Sequence, residues 1–435
     1  MVRDRLAVFC QPPDCFCLTF IYFCMVINLR KHIGIALSYF LLVSLMGILM
    51  RFYFVAPVPI NYKFLLHAHS HTALLGWIYL GLITLIYKVF LKKAEKPKLY
   101  RRIFVLTNIS IVGMIITFPI QGYALFSIIF STLFLFASYW FAWFAMKHVP
   151  KDYKNRFSWL LIKTSLWYLV LSSIGPWTIG GVMATLGPES VWYKSSIYFY
   201  LHFQYNGWFV LALLGILFFL MEEKGITFNL QKLKSFFLLL NSGVLLTVFL
   251  SMLWFVPPVW VYILGAIGAL AQVLAFFELF ALLRPHSNFF LNVFDSRSIV
   301  LLKIAGSLLG IKLSMQLLSA HPYFANLAFY LQDFVIGYLH LVFLGIVIPT
   351  MLVLQKHFKL IRIPLSFIVL FFTAFVITEG LIFYKGIAIW LGLPFFADYY
   401  IYLAVLSCIF PIAIGILFAD HTQIYAGPKR EISKE

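Results

Sequence analysis

Charged side chains are scarce in this chain, and acidic ones are the scarcest. Asp, Glu, Lys and Arg make up 11% of the 435 residues, with 15 acids against 33 bases. An average soluble domain has about a quarter charged and about half apolar residues, whereas 63% of this chain is hydrophobic. Because no soluble core can absorb so much apolar surface, the sequence predicts an integral membrane protein whose solvent is lipid.

Several chemical signatures are also missing. The chain has no Cys-X-X-Cys-His segment, so covalent c-type heme is not expected. It has no phosphate loop, nucleophile elbow or hydrolytic dyad. Four of the five cysteines precede residue 25 without the spacing of a zinc site: Cys10, Cys15, Cys17 and Cys24. We interpret that segment as one that precedes a true start at Met25; the alternative is an apolar stretch over 16–27, too short to cross a bilayer.

Long apolar runs account for most of the sequence. A membrane-spanning helix needs about 20 mainly apolar residues, and twelve runs meet this requirement. They lie near 33–55, 66–91, 103–121, 123–146, 157–180, 196–221, 235–256, 258–283, 298–318, 328–354, 363–385 and 395–418. The sequence therefore predicts an all-α polytopic bundle: a cytoplasmic segment over 1–32, one twelve-helix transmembrane domain over 33–418 and a cytoplasmic tail over 419–435.

The distribution of basic residues predicts the orientation. Lys and Arg concentrate after the second, fourth, sixth and tenth spans and in the tail, while the opposite connections hold only Lys63, Lys194 and Lys385, with Arg51 at the outer end of span 1. Because cytoplasmic loops carry the excess of Lys and Arg, we expect both termini in the cytoplasm and the chain in the inner (plasma) membrane. The net charge of +18 then reflects topology, with lipid rather than nucleic acid as the partner.

Five histidines fall inside spans at similar depth: His67, His69 and His71 in span 2, His202 in span 6 and His340 in span 10. Ionisable groups are costly in a membrane, so each calls for a function. His67 and His71 are four residues apart and share a helical face, and His69 points roughly opposite. The alternative is that each histidine bonds a neighbouring carbonyl or hydroxyl. Three histidines within five residues, matched in two other spans, favour ligation of a metal or a heme iron.

Three segments resemble motifs of a known family. In span 2, His71-Thr72 precedes an apolar run; in span 6, HFQYNGWFVLALLG begins at His202; in span 10, GYLHLVFLG contains His340. Twelve spans with these segments resemble the catalytic subunit I of the heme–copper oxidase superfamily, nearest the cytochrome-cbb-type oxidases and nitric oxide reductases. The resemblance implies that His71 and His340 are the axial ligands of a low-spin heme, and that His202 is at the non-heme metal position.

The departures from that family are equally informative. Tyr338 stands where the ligand of the high-spin heme should be, and span 7 lacks the family's histidine pair for the non-heme metal. The resemblance therefore implies one low-spin heme b, leaves copper or a second heme open, and leaves oxidoreductase activity open because the active-site ligands are incomplete. The further cofactor-binding candidates are His67 and Arg51, and the further metal candidates are His202 and His69.

The leading hypothesis is thus a degenerate oxidase subunit that acts in electron transfer or in handling O2 or NO, with an electron-donor protein or a quinol as a partner. His67-Ala68-His69 is also similar to a segment of the NnrS-type membrane proteins. The alternative is a transporter, in which histidines and scattered charged residues form substrate or proton sites; those residues are Lys163, Glu278, Lys303, Lys312, Asp333 and Glu379. A third hypothesis is a non-catalytic component of an assembly with an unknown subunit.

Overall fold

The computed structural model describes residues 27–187 and 189–426, and every regular element in these two ranges is helical. Twelve helices are long and apolar enough to cross a membrane, which confirms the predicted all-α polytopic bundle. They are Leu29–Phe52, Tyr62–Ala94, Pro97–Gln121, Leu125–His148, Phe157–Thr185, Val191–Glu223, Leu230–Phe255, Val259–Val293, Ser296–Leu318, Gln332–His357, Leu365–Trp390 and Tyr399–Gln423. We number them span 1 to span 12.

Asparagine side chains begin three of the spans. Asn28 accepts hydrogen bonds from the backbone N–H groups of the first turn of span 1, and Asn61 and Asn229 do the same for spans 2 and 7. Such caps satisfy N–H groups that have no partner inside the helix. They also fix the boundaries of spans that hydropathy alone places only to within a few residues.

Several spans are not uniform α-helices. Spans 5 and 12 are each interrupted at one residue, Ser173 and Cys408, and span 7 ends in a 3-10 segment. The remaining helices outside the spans are short: Lys151–Lys154 and Pro322–Tyr330. The last helix runs to Ala426, so the first part of the predicted tail is helical. The predicted cytoplasmic segment before residue 27, with Met25 and the four cysteines, and the tail beyond Ala426 lie outside the described residues.

The three spans that carry the membrane histidines form the centre of the bundle. In their most apolar windows, 94% of the residues of span 2, 83% of span 6 and 56% of span 10 are buried, against 28–44% for the other spans except span 5. An outer helix turns one face to lipid, whereas a central helix contacts protein on all sides. Of the five membrane histidines in these spans, His202 is buried, at 2% exposed, and the other four are half-buried.

Glycines allow the central helices to approach closely. A Cβ added to Gly81 of span 2 would lie 2.8 Å from Met351 Sδ of span 10, so the inner halves of these spans are in contact. A Cβ on Gly207 of span 6 would lie 2.6 Å from the Cβ of Tyr168. Small residues at such contacts let membrane helices pack tightly. The first of these contacts joins spans 2 and 10, and the second joins span 6 to span 5.

Candidate functional site

Each central span changes from α-helix to π-helix directly after a histidine. The three π segments are Thr72–Tyr79 after His71, Phe203–Phe209 after His202 and Leu341–Val347 after His340. π segments are rare and are frequent at functional sites. The three histidines therefore share one structural position, at a local change of helical winding. Sequence reasoning missed this feature, because apolar composition does not distinguish the two kinds of helix.

His340 is oriented by a carboxylate of span 11. Its Nδ1 lies 3.0 Å from Oε1 of Glu379, whose residue is 6% exposed. An ionised carboxylate only accepts hydrogen bonds, so Nδ1 carries the proton and the lone pair is on Nε2. Histidine ligands of metals are commonly oriented in this way. The second oxygen of Glu379 is buried and has no hydrogen-bond partner among the described residues.

Two histidines of span 2 have the same protonation pattern. His69 Nδ1 donates to the Val43 carbonyl oxygen over 3.0 Å, and His71 Nδ1 donates to the His67 carbonyl oxygen over 2.9 Å. A carbonyl can only accept, so Nε2 carries the lone pair in both rings. For His71, the Tyr123 hydroxyl lies 3.4 Å from that nitrogen. His69, His71 and His340 therefore each present a nitrogen suited to an iron ligand.

His69 and His71 face different neighbours. The rings of His67 and His71 both lie beside Phe118 and Tyr123, which confirms that these two histidines share a face. His69 faces span 1: a Cβ added to Gly47 would lie 3.2 Å from His69 Cε1. Residues two apart on an α-helix differ by about 200° in direction, which separates the two faces.

His69 and His71 also differ in the groups that surround them. His69 interacts electrostatically with both His340 and Arg51, whereas the ring of His71 lies 4.5 Å from that of Phe118 in span 3. The resemblance implies that His71 and His340 are the ligand pair, and the electrostatic interaction of His69 with His340 makes His69 a second candidate for that pair. The sequence alone does not distinguish two histidines that are two residues apart, because either one fits the short motif.

Charged groups from spans 1, 10 and 11 lie near these histidines. Arg51 of span 1 interacts electrostatically with Glu379 and Asp333, and Asp333 forms an ion pair with Lys385 over 3.1 Å. We call the set the outer cluster: Arg51, His69, Asp333, His340, Glu379 and Lys385. With neutral histidines its two cations balance its two acids, which lowers the cost of burying charge in a membrane.

A cavity of about 780 Å³ lies on the other side of span 10, between spans 6, 7, 9, 10 and 11. Tyr338 lines it, and its hydroxyl lies 3.3 Å from Gln316 Oε1. His202 lines it too, but Nε2 donates to the Val244 carbonyl oxygen over 2.8 Å and Nδ1 accepts from the Asn206 amide over 3.2 Å. In this arrangement neither nitrogen of His202 has a lone pair for a metal.

The histidines do not form one metal centre. Within residues 27–187 and 189–426, no three His, Cys, Asp or Glu side chains are grouped as metal ligands would be. The metal candidates lie in three separate places. His69 and His340 belong to the outer cluster, His71 of span 2 lies against Phe118 of span 3, and His202 lines the cavity. A heme with two axial histidines needs only one such pair.

Comparisons with known proteins add no family assignment. No protein-family model matches the chain, and no curated protein shows a matching sequence. The described residues form an all-helical bundle with twelve helices that are long and apolar enough to cross a membrane.

Proposed function

We propose that this chain is a membrane heme protein that binds one low-spin b-type heme between spans 2 and 10 and acts in electron transfer or in the handling of O2 or NO. The observation that carries the proposal is the pair His69 and His340. They lie on different central spans, both have Nδ1 bonded to a fixed acceptor, and both keep Nε2 available.

The residues present fit such a group. Two neutral imidazoles on facing helices are the ligand set of a bis-histidine heme. Arg51 is available to a propionate, because guanidinium groups bind carboxylates well. When bound, the heme would supply a one-electron redox couple. The protein's own part is to orient the two imidazoles, to exclude water and to set the potential through Glu379 and the apolar surroundings.

Electron transfer fits the residues better than reduction of a gas at a binuclear centre. Such a centre needs a second metal, but span 7 has no histidine and both nitrogens of His202 are bonded to protein groups. Tyr338 holds the position of the second heme ligand and bonds to Gln316 instead. The proposed partners are an electron-donor protein or a quinol, and the proposed location is the inner membrane with both termini in the cytoplasm.

A reduced-minus-oxidised optical spectrum of the purified protein tests the proposal. We expect a sharp low-spin b-type signal in the wild type that is lost in His340→Ala and His69→Ala and retained in His71→Ala and in the control His202→Ala. Loss in His71→Ala with retention in His69→Ala would show that the other imidazole of span 2 is the ligand. A protein without heme from a heme-sufficient host would overturn the proposal.

The cavity supports a second candidate, a transporter. Membrane transporters bind their substrates near the middle of the bilayer between central helices, and the cavity is lined by spans 6, 7, 9, 10 and 11. The interrupted helices, spans 5 and 12, do not occupy matching positions in the two halves of the chain. Substrate uptake into proteoliposomes by a heme-free protein would favour this candidate.

A further inference from the structure

The walls of the cavity are aromatic and carry no acid. The cavity runs from Lys194 to Asn206 along span 6, a rise of about 18 Å. None of its lining residues is Asp or Glu. Its aromatic walls include Trp254, Phe329, Phe334, Phe383 and Trp390. A volume of about 780 Å³ falls within the range of about 300–1,000 Å³ that is typical of sites for small organic ligands.

A buried ammonium lies beneath the floor of the cavity. Lys312 of span 9 is 3% exposed. Its Nζ donates to Asn206 Oδ1 over 2.6 Å, to Gln316 Oε1 over 2.5 Å and to Gln272 Oε1 over 3.3 Å. Asn206 and Gln316 are themselves lining residues. The ammonium is therefore separated from the cavity by two amide side chains.

The hydrogen bonds of Lys312 are satisfied, but its charge is not compensated. All three acceptors are neutral amides, and none of the ion pairs within the described ranges includes Lys312. A charge in a membrane interior without a counter-ion is unfavourable, and such charges commonly mark ligand or ion sites. The described residues therefore supply no anion to balance the charge of Lys312.

A second cation lies at the other end of the cavity. Lys194 Nζ lies 5.3 Å from the ring centroid of Trp254 and 5.8 Å from that of Phe329. A cavity with a cation at each end and no acid in its walls has a positive potential, which favours anions. Its aromatic walls favour an apolar body. The two requirements together describe an organic anion with one charged end.

We propose that the cavity binds an amphipathic carboxylate of the fatty-acid type. The head group lies at the floor, beside Asn206 and Gln316 and above Lys312, and the apolar body lies against the aromatic walls. A metal-free ligand fits better than a porphyrin, because His202 offers no nitrogen to an iron. The proposal is independent of the heme in the outer cluster, since it involves the opposite side of span 10.

The test compares two probes that differ only in the head group. Dodecanoate and dodecanol are titrated at pH 7 against the full-length protein in a nonionic detergent, with calorimetry and thermal unfolding as readouts. We expect dodecanoate to bind at least tenfold more tightly than dodecanol. Ala328→Trp, which fills the cavity, should abolish binding, and Lys312→Met should weaken it at least tenfold. Lys303→Met is the matched control, since Lys303 is exposed on the same span.

Three outcomes would overturn the proposal: equal affinity for the two probes, dodecanoate binding that survives Ala328→Trp, or an equal loss of binding in Lys303→Met and Lys312→Met. If Lys312→Met does not fold, the two probes and Ala328→Trp still decide the question. Loss of heme in the histidine variants has no bearing on this result, so the two proposals fail separately.

Discussion

Nδ1 of His340 lies 3.0 Å from Oε1 of Glu379, so a carboxylate of span 11 holds a histidine of span 10 in one orientation. A carboxylate that accepts this proton increases the electron donation of the opposite nitrogen. For a heme ligand, stronger donation stabilises the ferric state and lowers the reduction potential. Glu379 is thus expected to act on the heme through His340 rather than by direct contact.

The first prediction concerns the potential of the proposed heme. Glu379→Gln keeps an oxygen acceptor but removes the charge, so we expect the midpoint potential to rise while heme remains bound. A tenfold change in the ratio of reduced to oxidised protein is about 59 mV for one electron, and a shift of this order is expected. Spectroelectrochemical titration of the purified protein measures it.

Asp333→Asn is the matched control for that experiment. It removes the same charge from the outer cluster, but Asp333 pairs with Lys385 rather than with His340. We expect a smaller shift, because only the general electrostatic effect remains. Equal shifts of the midpoint potential in the two variants would mean that the hydrogen bond to His340 has no special effect. No shift in either variant would mean that Glu379 does not influence the potential.

The second prediction concerns helix packing. A Cβ added to Gly268 of span 8 would lie 2.6 Å from the Cβ of Leu246 and 2.7 Å from the backbone nitrogen of Thr247. A change of side-chain rotamer moves neither atom, so the backbones themselves would have to separate. We expect Gly268→Ala to destabilise the protein by about 1–3 kcal/mol. Gly306 has no heavy atom within 4 Å of an added Cβ, so Gly306→Ala should be neutral or stabilising. Thermal unfolding in detergent compares the two; equal losses would contradict the packing.

The third prediction concerns pH. Asp295 lies in the connection between spans 8 and 9. Burial tends to raise its pKa, but hydrogen bonds from Lys356 and Ser298 outweigh this and hold the pKa below its usual 3.8. A lowered carboxylate pKa contributes stability above the unfolded-state pKa, and the contribution disappears as the pH falls through the folded-state value. Because Asp295 is 49% exposed, the contribution is at most about 1 kcal/mol.

Thermal unfolding of Asp295→Asn measures this effect. The variant should be less stable than the wild type at pH 7, and the two should converge only below the folded-state pKa of Asp295, which is lower than 3.8, because both states then carry a protonated carboxyl group. Asp152→Asn, at an exposed site, serves as the control and should show no such convergence. A difference that persists in acid would assign the loss to packing rather than to the charge.

The fourth prediction concerns orientation. Lysines and arginines cluster in the connection between spans 2 and 3, and that connection is expected to be cytoplasmic. Alkaline phosphatase, which needs disulfides formed outside the cytoplasm, should be inactive when fused after Lys98 and active when fused after Glu189. The reverse pattern would invert the topology and place the outer cluster on the cytoplasmic side.

The number and type of helices could be predicted because they depend on local composition. Each span is long and apolar enough to identify by itself. The predicted boundaries lie within about six residues of those found, except that span 8 continues to Val293, ten residues beyond its predicted end. The asparagine caps and the extra turns explain the differences: span 2, for example, begins at Tyr62 because Asn61 caps it, whereas hydropathy placed the start near residue 66.

The site was predictable only in part. Intramembrane histidines stand out in a sequence with few polar groups, so His69 and His340 were both identified as candidates. The sequence does not decide which histidine of span 2 would pair with His340, because the answer depends on which face of span 2 meets span 10. The role of Glu379 and the position of Lys312 beneath the cavity were missed as well, since each partner is far away in the sequence.

The sequence by itself determined that this protein is a twelve-span membrane bundle with its histidines in three spans, because hydrophobicity and helix length act along the chain. Only the tertiary structure decided which carboxylate orients His340 and which lysine lies among neutral amides beneath the cavity. Those relationships arise from the rotation and close approach of helices, which are fixed by side-chain packing between residues distant in the sequence.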